Sequence, residues 1–305
     1  MNQPLEICVC TYRRAQVVDT LASLQALRQP DGYAVSVLVI DNDDVPSARR
    51  AVEQMAETVD LPIRYVHCPQ GNISIARNGA LAHSDARFLA FIDDDEVASP
   101  DWLIHLVGQM EKDGADVVLG PVEASYPDGA PAWMRRTRIH ATMPVWVDDR
   151  IITGYTCNVL IDRNSAALQG RSFDLSLGQT GGEDTAFFAK IVTDGGVISF
   201  APDALVTEAI PTDRVSFGWL LRRRFRMGQT HGQLVAKDGP SVRLWVITMC
   251  KVAYCAGAAL LQAPFTDRRN MAILRGTLHV GALNGLAGGR TLRLYGPNFP
   301  RKQRE

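Results

Sequence analysis

The amino-acid sequence predicts an α/β fold, in which helices cover a central sheet, and three observations carry this prediction. Across residues 1–121, short apolar runs alternate with segments whose apolar residues recur at helical spacing. No internal repeat or low-complexity tract interrupts the alternation. Apolar residues form 46% of the 305 residues and charged residues 21%, which excludes a chain that is disordered throughout. This alternation favours parallel strands covered on both faces.

The first part of the chain contains the predicted strands and helices of this sheet. Strands are predicted at Leu5–Cys10, Val35–Ile40, Ile63–His67, Phe88–Ile92 and Val117–Gly120. Helices are predicted at Ala15–Leu27, Ser47–Val59, Ser74–His83 and Pro100–Lys112. Pro46 precedes the second helix and Pro100 begins the fourth, where the missing N–H of proline removes no helical hydrogen bond.

The rest of the chain is predicted to form two further parts, with boundaries after residues 121 and 213. Residues 122–213 are less regular, with a strand at Thr153–Ile161, a helix at Thr185–Val192 and a strand at Val197–Phe200. Residues 214–305 contain helices at Ser216–Ala236, Leu244–Leu261 and Met271–Leu286, followed by fifteen residues expected to be irregular.

Charge is distributed unevenly along the chain. Residues 1–213 contain 16 Lys and Arg against 30 Asp and Glu, whereas residues 214–305 contain 16 against 3. A basic segment of this kind indicates an anionic partner, such as membrane phosphates, a substrate phosphate or nucleic acid. The six cysteines include no C-x-x-C pair, which disfavours a disulfide framework or a zinc site. No signal peptide is recognised, and we expect a cytoplasmic protein.

Polar residues follow three of the predicted strands at the point where each strand ends. Cys10 is followed by Thr-Tyr-Arg, Ile40 by Asp-Asn-Asp-Asp and Ile92 by Asp-Asp-Asp-Glu. Ligands of open α/β sheets bind beyond these carboxyl ends. Consecutive carboxylates repel one another, and Mg²⁺ or Mn²⁺ would offset that repulsion while leaving room for a diphosphate. The alternative is an acidic turn that only caps the helix beginning at Pro100.

The sequence has neither G-x-G-x-x-G nor G-x-x-x-x-G-K-[ST]. This disfavours a Rossmann dinucleotide site and a P-loop. A nucleotide would then be held by the acidic strand ends, a metal ion and isolated arginines.

Taken in order, the motifs resemble those of family 2 glycosyltransferases. The resemblance rests on Thr11-Tyr-Arg-Arg, on Asp41, on the stretch Asn72-Ile-Ser-Ile-Ala-Arg-Asn-Gly, on the D-x-D motif of Asp93–Asp95 and on Gly181-Gly-Glu-Asp. The stretches HCPQGNISIARNGAL, GYTCN and RRRFRMGQTHG look especially like rhizobial members of the family that build the exopolysaccharide succinoglycan. The resemblance implies a GT-A fold: a Rossmann-like mixed sheet flanked by helices, here with a basic, helical, membrane-associating C-terminal region.

The resemblance also implies site residues and a division of labour along the chain. Residues 1–121 would bind the nucleotide sugar, residues 122–213 would hold the acceptor and the catalytic base, and residues 214–305 would meet the membrane. The implied nucleotide-sugar contacts are Thr11, Tyr12, Arg13, Asp41, Arg77, Asp93 and Asp94. Thr11 and Asp41 would hold the uracil of a UDP-sugar, and Asp95 would bind Mg²⁺ or Mn²⁺, with the part played by Asp94 left open.

The reaction implied is a single displacement at the anomeric carbon with inversion of configuration. Its transition state resembles that of glycoside hydrolysis, and a base must take the proton of the attacking hydroxyl. The resemblance assigns this role to Asp184. The alternative for Glu183 and Asp184 is that they only cap a helix and complement its dipole, and the dipole would help to keep Asp184 ionised.

Six further residues are candidates for contacts with the acceptor or a diphosphate: Glu183, Trp133, Asn158, Arg222, Arg226 and His231. Arg guanidiniums suit phosphate oxygens, and Arg222 and Arg226 share one helix face. Each also has an ordinary alternative. Trp133, like Trp146, could equally be a hydrophobic residue packed beneath a long loop. The arginines could form a solvated basic face, and His231 could have a structural role.

The partners that we expect are a UDP-sugar donor, a polyprenyl-diphosphate-linked oligosaccharide acceptor and a membrane surface, without nucleic acid. The resemblance places the protein at the cytoplasmic face of the bacterial inner membrane, where its apolar helices would lie in the interface. The alternatives are a nucleotidyltransferase that makes sugar nucleotides and a non-enzymatic module that binds nucleotides or nucleic acid through residues 214–305. The first usually carries a glycine-rich phosphate loop, and the second needs no Asp95.

Overall fold

The computed structural model describes residues 2–236, 239 and 241–290. The fifteen final residues, expected to be irregular, lie outside this range. The chain divides into two compact units. The first comprises Met1–Ser125, Ala141–Gln179 and Glu183–Ala209, and the second comprises Tyr126–His140, Thr180–Gly182 and Ile210–Glu305. The predicted middle part, residues 122–213, therefore contributes to both units.

The described strands and helices follow the predicted order closely. The strands are β1 (Gln3–Thr11), β2 (Tyr33–Asp41), β3 (Ile63–His67), β4 (Phe88–Asp93), β5 (Glu96–Ala98), β6 (Val117–Leu119), β7 (Val122–Ser125), β8 (Trp146–Val147), β9 (Arg150–Ile151), β10 (Asn158–Asp162), β11 (Ile198–Phe200) and β12 (Val206–Ala209). The helices are α1 (Val17–Gln25), α2 (Arg49–Ala56), α3 (Ile73–His83), α4 (Trp102–Asp113), α5 (Ala132–Arg136), α6 (Glu183–Thr193), α7 (Phe217–Ala236), α8 (Val242–Leu261) and α9 (Thr266–Leu286).

A mixed sheet of seven described strands forms the centre of the first unit, in the order β11-β6-β10-β4-β1-β2-β3. The pairs β1–β2, β1–β4 and β2–β3 are parallel, as predicted. Strand β10 runs antiparallel to both β4 and β6, so the sheet is mixed, as the resemblance implied, while the strands predicted within residues 1–121 all run in one direction. A short buried strand has the same apolar pattern in either direction, and its sequence therefore does not reveal its orientation.

The two faces of the sheet are covered by different helices. Along β1, Leu5, Ile7 and Val9 point to one face and pack in a cluster with residues of α1 and α4. The intervening Cys8 points to the other face, whose cluster includes residues of α3 and α6. This period of two is the geometry of a strand buried on both sides. Each fully buried Leu or Ile contributes about 1.5–3 kcal/mol.

The parallel pairing brings three polar strand ends to one edge of the sheet. Thr11 at the end of β1 lies beside Asp41 at the end of β2. Asp93 at the end of β4 lies beside Cys10. A smaller sheet, in the order β5-β12-β7, begins three residues beyond Asp93, and β8 and β9 form a short hairpin. The acidic loops predicted from the sequence therefore meet at the carboxyl edge.

The second unit is built mainly from α7, α8 and α9. The backbones of α7 and α9 touch at glycines: a Cβ on Gly228 would lie 1.9 Å from the Leu278 carbonyl oxygen, and one on Gly281 would lie 2.0 Å from that of Phe225. Helix α8 is the one described helix that is long and apolar enough to cross a membrane, and 11% of its most apolar window is buried.

Candidate active site

The acidic triplet forms a tight turn between β4 and β5. Glu96 shapes this turn, because its buried carboxylate accepts a hydrogen bond of 2.9 Å from the backbone N–H of Asp93. Burial, reinforced by the charge of Asp93, raises the pKa of Glu96. Burial likewise raises the pKa of Asp93, although Arg77 opposes this effect. The turn therefore concentrates negative charge at the carboxyl end of β4.

Asp94 is the most enclosed carboxylate of the triplet. Thr11 donates its hydroxyl hydrogen bond to Asp94 over 2.7 Å, and the Arg14 guanidinium lies 3.0 Å from the other carboxylate oxygen. Burial raises the pKa of Asp94 to about 7, against the opposing effect of Arg14. In this structure Thr11 thus holds Asp94, and its contact with a nucleobase stays a prediction.

Arg14 is a site residue that sequence reasoning missed as a contact. Its guanidinium forms ion pairs with both Asp94 and Asp95. The only sequence signal was its place as the second arginine after Thr11 and Tyr12, at the end of an apolar strand. Arg14 thus supplies the positive charge nearest to the triplet.

Arg13 points to a different acidic loop. Its Nε donates to Asp43 over 2.7 Å, and this bond lowers the pKa of Asp43 although burial opposes the shift. The guanidinium also lies 5.0 Å from the Tyr12 ring centroid. Arg13 has φ of 53°, a left-handed backbone conformation that costs about 1 kcal/mol or more in a residue with a side chain. Arg13 therefore ties the end of β1 to the loop after β2.

Asp41 organises that loop. It is fully buried, and its Oδ2 accepts hydrogen bonds from the Tyr65 hydroxyl over 2.7 Å and from the Ala48 N–H over 2.9 Å. Its Oδ1 accepts from the Asp43 N–H over 3.1 Å. The predicted contact with a uracil N–H remains untested, and within the described residues Asp41 already fixes the chain between β2 and α2.

Arg77 and Glu183 form a buried ion pair between α3 and α6. The two side chains are 9% and 7% exposed. The remaining Glu183 oxygen, Oε2, is buried without a hydrogen-bond partner among the described residues. Arg77 thus reaches the motif that contains the predicted base, and its contact with a nucleotide remains a prediction.

The polar residues around Arg77 hold a neighbouring loop. Asn72 caps α3 by accepting from the Ser74 and Ile75 N–H groups. Asn78 exchanges two hydrogen bonds with the Phe173 backbone, of 2.7 and 2.9 Å. Asn72 also donates to the Leu175 carbonyl over 3.0 Å. These two loop contacts were not evident from the sequence, because Phe173 and Leu175 lie about a hundred residues away from the asparagines.

Asp184 lies in the first turn of α6, as predicted. Its Oδ1 accepts from the Thr185 N–H over 2.7 Å. Burial and the neighbouring Glu183 raise its pKa to about 6, against the effect of Arg77. Burial and like charge thus oppose the ionisation of Asp184 that the helix dipole was expected to favour. A carboxyl group with this pKa is still largely ionised at neutral pH and is well matched to proton abstraction.

Two sequence-based candidates have structural roles instead. Asn158 is fully buried, and its side chain bonds to Trp102 Nε1 at 2.8 Å and to the carbonyls of Pro121 and Ala204 at 2.9 and 2.8 Å. This corrects the expectation that Asn158 binds a sugar hydroxyl. Trp133 is 8% exposed within an apolar cluster, which corrects its assignment to the acceptor.

The remaining aromatic candidate is accessible. Trp146, in the hairpin of β8 and β9, is 54% exposed. A tryptophan face packs well against the C–H surface of a sugar, and Trp146 therefore replaces Trp133 as the aromatic candidate.

The basic candidates lie on α7 in the second unit. Arg226 donates to the Thr180 carbonyl over 2.9 Å, and a Cβ on Gly181 would lie 2.4 Å from its guanidinium. Gly181 has φ of 84°, so both the backbone and this close approach require glycine there. Arg222 is exposed, and partial burial together with Lys251 lowers the pKa of His231. The residues that precede Glu183 are thus packed against α7.

The first unit brings together the D-x-D triplet, Thr11, Arg14, Arg77, Glu183 and Asp184. Within residues 2–236, 239 and 241–290, no three His, Cys, Asp or Glu side chains are arranged as ligands of a metal ion. At the triplet, Asp94 and Asp95 form ion pairs with the Arg14 guanidinium.

Comparison with known proteins identifies the fold and the family. Two solved structures share the GT-A fold with this chain over nearly its whole length. One is the mannosyltransferase PcManGT of Pyrobaculum calidifontis in complex with GDP-Man and Mn²⁺, with a TM-score of 0.62 and 19% identity over 95% of this chain and 89% of that chain. The other is S. aureus TarS 1–349 in complex with UDP-GlcNAc, with a TM-score of 0.53 and 14% identity over 98% of this chain and 100% of that chain.

Similarity in amino-acid sequence identifies the family as well as the fold. The chain is 48% identical over 295 residues to the succinoglycan biosynthesis protein ExoM of Rhizobium meliloti (strain 1021), covering 96% of each chain. Residues 6–168 match the model of glycosyl transferase family 2. The matched residues contain the strand ends, Arg14, Arg77 and the acidic triplet described above. The chain therefore belongs to glycosyltransferase family 2.

Proposed function

We propose that this glycosyltransferase transfers a sugar, glucose in the first instance, from a UDP-sugar to a lipid-linked oligosaccharide in exopolysaccharide biosynthesis, with inversion at the anomeric carbon. The observation that carries the proposal is the gathering of Asp93–Asp95, Arg77 and Asp184 at one edge of the sheet, where their charges influence one another. The similarity to a succinoglycan biosynthesis protein supports the choice of pathway.

A divalent cation fits the donor side of this site. Besides burial, repulsion from Asp95 contributes to the raised pKa of both Asp93 and Asp94. Hard oxygen ligands suit Mg²⁺ or Mn²⁺. Asp95 would hold the ion, with Asp94 as the neighbouring carboxylate. When bound, such an ion supplies charge neutralisation for the departing diphosphate.

Asp184 is proposed to act as the base. The acceptor hydroxyl gives its proton to the Asp184 carboxylate while its oxygen forms the new bond to the anomeric carbon. The bond from that carbon to the diphosphate oxygen breaks, and its electron pair leaves with UDP. A positioned base contributes about 10²–10⁴-fold to such a step. Arg77 balances the charge of Glu183 beside the base and keeps Asp184 ionised.

The acceptor side is proposed to lie at a membrane. The exposed apolar residues of α8 include Leu260 and Leu261, at 79% and 84% exposure. Basic residues are abundant in the same part of the sequence, as expected of helices that lie among anionic head groups. A lipid-anchored acceptor would meet the enzyme there, at the cytoplasmic face of the inner membrane.

The test is sugar transfer from radiolabelled UDP-glucose to a lipid-linked acceptor by the wild-type protein, Asp184→Asn and Asp203→Asn. Asp203 is exposed on the same unit, so its variant controls for the loss of one carboxylate. We expect Asp184→Asn to lose about 10²–10⁴-fold in turnover while it retains UDP binding. Turnover within a few-fold of wild type would exclude Asp184 as the base, and absence of transfer by wild type from any UDP-sugar would exclude the donor class.

A further inference from the structure

The Arg14 guanidinium lies on the carboxylates that the proposed function assigns to the donor's metal ion. It is 3.0 Å from Asp94 Oδ1 and forms an ion pair with Asp95 Oδ2. The Arg14 side chain is 18% exposed and that of Asp95 is 17% exposed. The contact is thus a partly enclosed ion pair rather than a chance surface contact, for which solvent and salt would leave little net attraction.

Arg14 is the counter-charge of the triplet. The other guanidinium that influences Asp93, that of Arg77, is paired with Glu183. Arg13 is paired with Asp43. Arg14 is therefore the arginine that neutralises Asp94 and Asp95, and a divalent cation that binds the same Asp95 oxygen must displace it.

A displaced Arg14 needs a new anionic partner. A guanidinium that is mostly removed from water is costly when unpaired. The diphosphate of a nucleotide sugar presents planar sets of oxygens that suit an arginine fork. The diphosphate also arrives where the metal does, so one event can supply both the displacing cation and the new partner of Arg14.

We propose that Arg14 couples the binding of metal and nucleotide: without nucleotide it neutralises Asp94 and Asp95, and its transfer from Asp95 to the diphosphate opens Asp95 to the cation. This inference rests on the proposed function, and it makes Arg14 a residue that positions the donor. Coupling between two ligands is reciprocal, so UDP strengthens metal binding by the same factor by which metal strengthens UDP binding. Couplings of this kind typically span about 5–150-fold.

The test measures Mn²⁺ affinity by titration calorimetry, without nucleotide and with saturating UDP, for wild type, Arg14→Gln, Arg14→Lys and Arg87→Gln. Arg87 pairs with Asp162 over 2.8 Å, at the end of β4 opposite to Asp93, so its variant loses a matched Arg–Asp pair away from the triplet. Far-ultraviolet circular dichroism verifies that each variant is folded. If Arg14→Gln does not fold, Arg14→Lys still tests the proposal, because it retains the positive charge.

We expect Arg14→Gln to bind Mn²⁺ about tenfold or more tightly than wild type without UDP, and to lose most of the strengthening by UDP. Arg14→Lys should fall between, because an ammonium cannot fork across two carboxylates. Arg87→Gln should behave as wild type. Equal affinity of wild type and both Arg14 variants without UDP would overturn the role of Arg14, even if UDP still promotes Mn²⁺ binding. Absence of Mn²⁺ binding to every variant with UDP would overturn the metal-dependent function itself.

Discussion

The carboxylates of the site are held in place against their mutual repulsion and against the cost of burial. Asp184 is the clearest case, since burial and Glu183 raise its pKa to about 6 while Arg77 partly compensates. The proposed role as a base requires Asp184 to be ionised at neutral pH, whereas burial makes its ionised form destabilise the folded state. Under that proposal, function and stability conflict at this residue.

Asp184→Asn is expected to stabilise the protein at pH 8 and to leave stability unchanged at pH 4. The folded state binds the Asp184 proton more tightly than the unfolded state, so ionisation destabilises the fold above the unfolded pKa near 4 and to the full extent above about 6. The gain at pH 8 should be up to about 3 kcal/mol, because each pKa unit corresponds to about 1.4 kcal/mol, and urea unfolding at both pH values measures it. A gain that is equal at pH 4 and pH 8 would contradict the assignment of the raised pKa.

Arg77→Met is expected to lower the free energy of unfolding by about 3–5 kcal/mol. The substitution leaves the Glu183 carboxylate buried without its cation, which costs more than the pair contributes. Adding Glu183→Gln should restore much of the loss, because it removes the stranded charge. Urea unfolding of both single variants and of the double variant measures these changes as a double-mutant cycle. A decrease of less than about 1 kcal/mol in the free energy of unfolding for Arg77→Met would contradict a buried ion pair.

At the scale of elements, hydrophobic periodicity located the secondary structure well and predicted the parallel strands of residues 1–121, but it did not reveal the direction of β10. The strand Ile63–His67 was predicted to the residue, and α7 begins one residue after its predicted start. The antiparallel direction of β10 depends on how a long connection packs, which no local pattern encodes. Asn158 and Arg14 were misjudged or missed for a similar reason: their partners lie 37–81 residues away in the chain.

Glycines allow the backbones of α7 and α9 to pack in direct contact. Gly281→Ala is expected to destabilise the second unit by at least about 1 kcal/mol, because its Cβ would lie 2.0 Å from a carbonyl oxygen and the helices must separate. Gly257→Ala in α8 is the matched control: nothing lies within 4 Å of its Cβ, and alanine should stabilise that helix by about 0.5–1 kcal/mol. Thermal unfolding compares them, and equal shifts in Tm would argue against backbone contact.

Over the whole molecule, the sequence divides into an acidic and a basic part, and α8 in the basic part carries exposed apolar side chains. This combination favours association with anionic membranes. Composition alone indicated an anionic partner, and the exposed face of α8 adds an apolar contact that a soluble phosphate or a nucleic acid would not need.

Wild-type protein is expected to bind vesicles that contain anionic phospholipid, more weakly at high salt, as measured by vesicle co-sedimentation. Leu261→Glu should weaken binding severalfold, because it places a charge on a side chain that is 84% exposed on α8. Val197→Glu, at a residue that is 50% exposed in the first unit, is the control and should bind as wild type. Equal binding of both variants would exclude α8 as the contact.

The most direct test of the account is a calorimetric titration of the wild-type protein with UDP, GDP and ADP, each with and without Mn²⁺. The proposed UDP-sugar donor predicts binding that is at least about tenfold tighter for UDP than for GDP or ADP and that depends on Mn²⁺ through the acidic triplet, with Asp95→Asn losing the dependence on Mn²⁺. Absence of UDP binding with Mn²⁺, or equal affinity for the three nucleotides, would contradict a metal-dependent UDP-sugar site at this edge of the sheet.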